Sequence, residues 1–340
     1  MINAAIVGLG WWGKTLVESV SGESDEIRFV AATTRSKTDE DKAFCKLHNL
    51  ELRESFETII DDADIDAVVL VTQNSMHAAQ SVAAAAKGKH VFCEKPLALT
   101  QADAQAAVQA CEQAGVQLAV GYSRRFHPEM TKLRDMVRSG ELGTILHCEA
   151  TMTFPNGLFL EPDAWRASKD ETPCGGLTPM GVHAIDGFID LCGDIDTVYA
   201  QSFRRTVEVD ADDTTSILFR MKDGMSGYLA TMTATGGGFN FQVYGSKGFV
   251  KLEGMTHIAG APSEERRFQL FGDCTFKPIK GPAQKWEATK FDVARAALDA
   301  FGVAIRGGEP YQISNAEHVH CAAVTEAVVR SASSHQVEHV

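Results

Sequence analysis

The sequence predicts two domains, an α/β domain with a parallel sheet followed by an α+β domain with an open, mostly antiparallel sheet. Three observations carry that reading. A strand-like run at the N-terminus leads straight into Gly8-Leu9-Gly10-Trp11-Trp12-Gly13 and a helical pattern. Short apolar runs then alternate with helical patterns as far as about residue 122, which is the mark of βαβ units. Beyond Ser123 the texture changes to short alternating strands broken by Asp-Gly, Gly-Gly and Gly-Ser turns. The expected domains are 1–122 and 123–340, with the Gly/Ser/Arg stretch near 121–125 as the hinge.

Each element follows from its own pattern. INAAIVG reads as a buried strand and Lys14–Ser21 as helix. IRFVAATT is a second strand and Asp39–His48 a helix. DAVVLVT is apolar on both faces, as a strand covered by helices on both sides must be. His77–Lys87 is an Ala-rich helix stopped by Gly88. HVFCE is a strand, Thr100 caps a long helix, and QLAVGY closes the first domain. In the second domain Pro128–Ser139 is a helix and ILHCEATMTF a strand. A helix follows around His183–Leu191, with Thr178 as its N-cap and Pro179 as its first residue. The acidic run Glu208–Asp213 reads as a solvated turn without calcium-loop spacing. SILFRM, SGYLATMTA, FNFQVYG and GFVKLEG are strands, and helices over 286–306 and 315–333 end the chain.

Composition narrows the function classes. The 340 residues suit about two domains at roughly 150 residues each. Lys plus Arg total 32 against 45 Asp plus Glu, a net charge of −13, which excludes the basic face that nucleic acid requires. No run of about 18 apolar residues occurs, so no membrane partner is expected. MINAAIVGLG reads as a strand and not as a signal peptide, and the expected location is cytoplasmic. The eight cysteines lack CxxC spacing, so no metal site or disulfide framework is signalled.

GxGxxG between a strand and a helix is the dinucleotide fingerprint. The first glycine permits a tight turn, the second lets backbone approach a pyrophosphate, and the third lets helix and strand pack closely. Gly8, Gly10 and Gly13, with Trp11 and Trp12 of the same turn, are therefore candidate cofactor residues. The second strand ends in Thr34-Arg35 where NAD-specific domains place an acidic residue. A guanidinium matches a 2′-phosphate, so NADP(H) is favoured over NAD(H). The alternative is that Arg35 is a solvated surface residue, or stacks on adenine without discriminating between the two cofactors.

Further motifs resemble a known family. Val71-Thr72-Gln73-Asn74-Ser75-Met76-His77 is similar to the TPNxxH segment of the Gfo/Idh/MocA oxidoreductases, the group of glucose–fructose oxidoreductase and inositol dehydrogenase. Gly88-Lys89-His90-Val91-Phe92-Cys93-Glu94-Lys95-Pro96-Leu97 resembles its GKHVxxEKPL signature. Gly121–Phe126 resembles its GxNRRF hinge with Ser123 in place of Asn, and Trp165-Arg166, Gly175-Gly176 and Gly181–Asp186 resemble its WR, GG and GxHxxD segments. The resemblance implies a cis peptide before Pro96 and a substrate cleft beside the nicotinamide. It also implies assembly as a homodimer or homotetramer through the C-terminal sheet. By residue it places Thr72, Asn74, His77 and Glu94 along the cofactor, Lys95 beside nicotinamide and substrate, and His183 as acid/base. Arg124, His127, Asn156, Trp165, Arg166 and Asp186 are candidates for substrate contact; His127 and Asn156 read equally as plain loop residues.

One departure bears on the chemistry. The family has Asp four residues before the histidine, where this chain has Pro179. The catalytic set is then Lys95 and His183. A lysine at a strand end can polarise a carbonyl oxygen or give it a proton, and histidine titrates near neutrality. Asp186 lies one turn after His183 and either fixes its tautomer or only lines the domain interface. The expected activity is NAD(P)-dependent hydride transfer on a sugar, cyclic polyol or related small hydroxy or oxo compound. The competing readings are a dehydrogenase of aromatic-degradation intermediates (dihydrodiols or semialdehydes) and a non-catalytic dinucleotide-sensing regulator.

Overall fold

The computed structural model describes residues 1–255, 263–268 and 270–340. The chain divides into two compact units, Met1–Ser123 with Asp292–Ala322, and Arg124–Phe291 with Ala323–Val340.

The first unit runs β1 (Ile2–Val7), α1 (Trp11–Val20), β2 (Ile27–Thr33), α2 (Asp39–Leu47), β3 (Glu51–Leu52), α3 (Phe56–Ile60), β4 (Ala67–Leu70), α4 (His77–Ala86), β5 (His90–Cys93), α5 (Gln101–Ala114) and β6 (Leu118–Val120). Its sheet has the order β3-β2-β1-β4-β5-β6, and every pair is parallel. All four residues of β4 are buried, as a strand sandwiched between helices requires. Helix starts are set by local chemistry. Thr38 and Asp41 form a reciprocal capping box on α2, and Thr100 caps α5. This is the Rossmann strand order, which reverses between β1 and β4; ligands bind beyond the carboxyl ends of the strands at such a reversal.

The second unit is built from α6 (Pro128–Arg138), β7 (Ile145–Thr153), α7 (Val182–Cys192), β8 (Ile195–Phe203), β9 (Thr214–Met221), β10 (Ser226–Met232), β11 (Gly238–Gly245), β12 (Gly248–Gly254), α8 (Ser263–Phe268), β13 (Phe271–Pro278), β14 (Gln284–Glu287) and β15 (Glu338–His339). Among the described residues the sheet has the order β14-β13-β12-β11-β7-β10-β9-β8-β15. Every pair is antiparallel except β7 with β10. Alternation sorts the faces. Cys148, Ala150 and Met152 of β7 are buried, while His147, Glu149 and Thr151 on the other face are half-exposed.

The ending of the chain corrects the expected boundary. α9 (Val293–Ile305) belongs to the first unit, and the division between units falls inside α10 (Asn315–Ser334). α9 is apolar along the stripe Val293, Ala294, Ala297, Leu298 and Phe301, all buried, and packs against α1, β2 and β5. Phe301 meets Phe92 of β5 edge to face at 5.7 Å. The helix expected from 286 starts only at Val293, where the Asp292 carboxylate accepts the Arg295 N–H. Residues 284–287 pair instead as strand β14, where Trp286 donates its indole N–H to Glu129 at 2.7 Å. The acidic run is also not fully solvated. Asp213 is buried, and one carboxylate oxygen accepts the backbone N–H groups of Arg205, Thr206 and Val207. No helix among the described residues is long and apolar enough to cross a membrane.

Phe301→Ala should destabilise the protein by about 3–5 kcal/mol, the usual range for emptying a buried aromatic site. Denaturant unfolding measures it. A loss below about 1 kcal/mol would remove α9 from the core of the first unit.

Candidate active site

The glycine turn sits at the reversal between β1 and β4. Gly8 has φ +109°, and a Cβ there would lie 2.4 Å from the carbonyl oxygen of Val71. A Cβ on Gly13 would lie 2.0 Å from the carbonyl oxygen of Gly8. Neither position accepts a side chain. At Gly10, by contrast, a Cβ would meet nothing within 4 Å, and no side chain caps α1 there. Open space beside an uncapped helix N-terminus fits a pyrophosphate, which would take the first-turn N–H groups.

Beyond β2, Thr34 is half-buried and Arg35 exposed. The neighbouring cations are committed: Lys37 to Glu54, and Lys14 to Glu40 at 2.6 Å and Asp41 at 3.1 Å. Among the described residues, no carboxylate lies within ion-pair distance of Arg35.

The Glu94-Lys95-Pro96 segment follows β5. Glu94 is buried. Its carboxylate accepts the Trp12 indole N–H at 2.7 Å and the Lys95 backbone N–H at 3.3 Å. Burial pushes the Glu94 carboxyl up, against the Lys95 charge and these two donors. The carboxylate also fills the space a side chain on Gly121 would need, 2.7 Å from its would-be Cβ. The Lys95–Pro96 peptide is cis. The Pro96 carbonyl lies 2.7 Å from His77 Nδ1, and the Thr72 carbonyl 3.2 Å from Nε2. Thr72 in turn donates its hydroxyl to Gln80 at 2.6 Å.

His77 is buried at 1 % exposure and links the Thr72 and Pro96 carbonyls. Asn74 is buried as well. Trp12 likewise spends its donor on Glu94.

The remaining candidates lie on the second unit. His183 is the second residue of α7 and half-buried. Thr178 is not its N-cap. Leu177–Gly181 forms a turn of π-helix, Gly181 occupies the cap position, and the buried Thr178 hydroxyl has no hydrogen-bond partner. π-Helical turns are frequent at functional sites. Pro179 fits because, so near the start of a helix, few N–H groups have intrahelical partners.

Asp186 is buried, and both carboxylate oxygens face Arg125, at 2.5 and 3.2 Å. Asp190, one turn on, takes Arg134 through contacts of 2.7–2.9 Å. Two residues of the hinge motif are thus told apart. Arg125 is a buried tie to α7, a role the sequence reading missed although the RR pair was in view. Arg124 lies over the Phe239 ring at 4.4 Å.

His127 is likewise a structural residue. It is completely buried, its Nδ1 accepts the Glu129 N–H at 3.1 Å to cap α6, and burial lowers its pKa to about 4. Trp165 and Arg166 stack at 4.0 Å. Their loop packs through Ala167 on Val207, Val209 and Ala211. Asn156 is half-buried and opens a short 3-10 turn.

Comparison with known proteins fits this geometry. Residues 2–122 match the model of an oxidoreductase family with an NAD-binding Rossmann fold, and residues 130–251 match the GFO/IDH/MocA C-terminal domain. The chain belongs to the Gfo/Idh/MocA oxidoreductase family. It is 27% identical to 1,5-anhydro-D-fructose reductase of Ensifer adhaerens, over 84% of this chain and 83% of the relative. It is 28% identical to myo-inositol 2-dehydrogenase of Thermotoga maritima, over 78% and 79%. The crystal structure of aldose-aldose oxidoreductase from Caulobacter crescentus superposes with a TM-score of 0.84 at 25% identity, covering 100% of this chain and 99% of that one. The chain is thus an enzyme of an oxidoreductase family that binds a nicotinamide dinucleotide.

Trp12→Phe keeps the ring and removes the donor to Glu94. It should cost about 1–3 kcal/mol, because a buried acceptor is left short. Glu94→Gln should cost less in the Trp12→Phe background than alone, and a double-mutant cycle of unfolding free energies reads that coupling. Strictly additive losses would break the clasp as an energetic unit.

Proposed function

We propose that the enzyme uses NADP(H) in preference to NAD(H) to interconvert CH–OH and C=O groups on a sugar, cyclic polyol or related compound, with Lys95 and His183 handling the proton. The fixing of Lys95 is the observation that carries this reading. Its preceding residue is clasped by Trp12, its following residue is held by His77, and both lie at the carboxyl edge of β5. An ammonium held there can polarise a substrate oxygen or give it a proton. The sugar and polyol named in the relatives' activities support the substrate class.

When bound, the nicotinamide supplies or takes the hydride. This chain supplies orientation and proton transfer. His183, half-buried near the start of α7, can exchange a proton with a substrate oxygen. No carboxylate stands in Leu177–Gly181, so the proton traffic falls to one lysine and one histidine. That set favours reduction, where Lys95 as proton donor suffices.

Cofactor preference rests on Arg35. It is exposed at the end of β2, while its basic neighbours are already paired. A guanidinium without a protein carboxylate suits the 2′-phosphate. Assembly as a homodimer or homotetramer is supported by the second sheet's uncovered face, which presents Tyr228, Tyr244, Phe203 and the 55 % exposed Leu218.

Lys95→Ala should lower turnover by about a hundredfold or more while the unfolding midpoint stays near that of the wild type; near-normal turnover would remove Lys95 from the chemistry. Arg35→Ala should raise KM for NADPH by about tenfold or more and change KM for NADH little, since one charge-assisted contact is lost. Steady-state rates with both cofactors decide it, and a wild-type preference for NADH would sink the NADP(H) assignment.

A further inference from the structure

We infer that the second unit holds an anion subsite centred on Arg124, and that the substrate of the reaction proposed above carries a carboxylate. The inference rests on that reaction for its link to catalysis, and on the following geometry for the subsite itself.

Arg124 is 6 % exposed, and its Nη1 is fully buried without a hydrogen-bond partner. Among the described residues no carboxylate lies within ion-pair distance of it. The Phe239 ring under the guanidinium at 4.4 Å attracts the charge but cannot neutralise it. The next residue shows what the fold does with a buried cation it uses structurally: Arg125 receives Asp186 on two nitrogens. Asp190 is taken by Arg134, and Glu129 by Trp286. The acidic groups around this cluster are spent, and Arg124 is left over. A buried charge without a partner is costly, so the arrangement calls for a ligand.

The same unit holds two further buried polar groups without partners. Register puts Phe239 opposite Met152, and Met152 beside Thr231, in one row across β11, β7 and β10. The Thr231 hydroxyl is buried and unpartnered, as is that of Thr178 in the π-helical turn. Thr231 packs against that turn: a Cβ on Gly176 would lie 2.8 Å from the Thr231 Cβ, and one on Gly181 3.2 Å from its Cγ2. That row therefore carries Phe239, which lies under a cation without a carboxylate, and Thr231, whose unpartnered hydroxyl side chain packs against the turn that leads into His183 and holds the unpartnered Thr178. A planar guanidinium fork matches a carboxylate, and the hydroxyls match a polyol. A single cation balances one negative charge, which fits a carboxylate better than a phosphate dianion. The substrate class is a sugar acid: an aldonate or uronate.

The test uses the holoenzyme loaded with NADP(H). Binding of D-glucuronate, D-galacturonate, D-gluconate, D-glucose, myo-inositol and D-glucose 6-phosphate is measured by calorimetry, and hydride transfer is followed separately at the nicotinamide absorbance. At least one acid should bind about tenfold or more tighter than its neutral counterpart, the scale of a charge-assisted hydrogen bond. Arg124→Gln should collapse that ratio, and Arg124→Lys should restore part of it. Equal binding of glucose and every acid by the wild type, tightest binding of the 6-phosphate, or no binding by any probe would each overturn the inference. So would an unchanged acid-to-neutral ratio in an Arg124→Gln protein that still binds the dinucleotide. Arg124-dependent binding of an acid without hydride transfer to or from any probe would keep the subsite and remove the catalytic reading. Hydride exchange with neutral sugars alone would do the reverse.

Discussion

The first unit is organised around one buried carboxylate. Glu94 takes the indole N–H of Trp12, from the glycine turn, and the backbone N–H of Lys95, and it occupies the space left by Gly121. Three segments far apart in sequence are therefore fixed by one group: the turn after β1, the end of β5, and the end of β6. Burying such a carboxylate is unfavourable unless its acceptors are used, so each donor is constrained in turn. A different side chain at residue 12 or 121 would move Glu94, and with it the backbone that carries Lys95. His77 completes the arrangement from the other side by meeting the Pro96 carbonyl. Lys95 is thus positioned by groups that are themselves buried, which is how a site keeps its geometry.

The second unit solves a related problem with ion pairs. Arg125, Asp186, Asp190 and Arg134 are all buried and pair in a chain. Breaking such a pair by removing one partner costs about 3–5 kcal/mol, because a charge is left stranded. The pairs hold the segment after the hinge against α7, whose first turn presents His183. Asp186 ties α7 to Arg125 through both of its carboxylate oxygens.

Much of this was legible in the sequence. Rossmann topology followed from alternating patterns and from glycines at 8, 10 and 13, because backbone close approach leaves a residue-type signature. The second sheet was legible through period-two alternation. Helix α9 was misassigned because nothing in a linear reading says which sheet an apolar stripe will cover; only the packing of Phe301 on Phe92 decides it. Residues 286–292 read as helix from composition, but pairing with β13 prevailed. In the site, residue types were found more reliably than roles. His77, His127 and Asp186 are polar residues in the right motifs, yet burial turns them into braces and caps. Their partners are backbone groups or distant side chains, which sequence spacing does not encode.

The contrast between Arg124 and Arg125 is where charge accounting says most. Both are buried, adjacent and always cationic in ordinary surroundings. One is matched by a carboxylate from α7 and the other is not, although folding could satisfy both if a second acid stood nearby. Burial alone draws the Arg124 pKa down to about 9, so the folded chain bears the cost of that mismatch. The turn at 177–181 contains Leu, Thr, Pro, Met and Gly, so it offers no carboxylate. A buried cation that no carboxylate of the fold answers is matched in charge to an anion that arrives with the substrate.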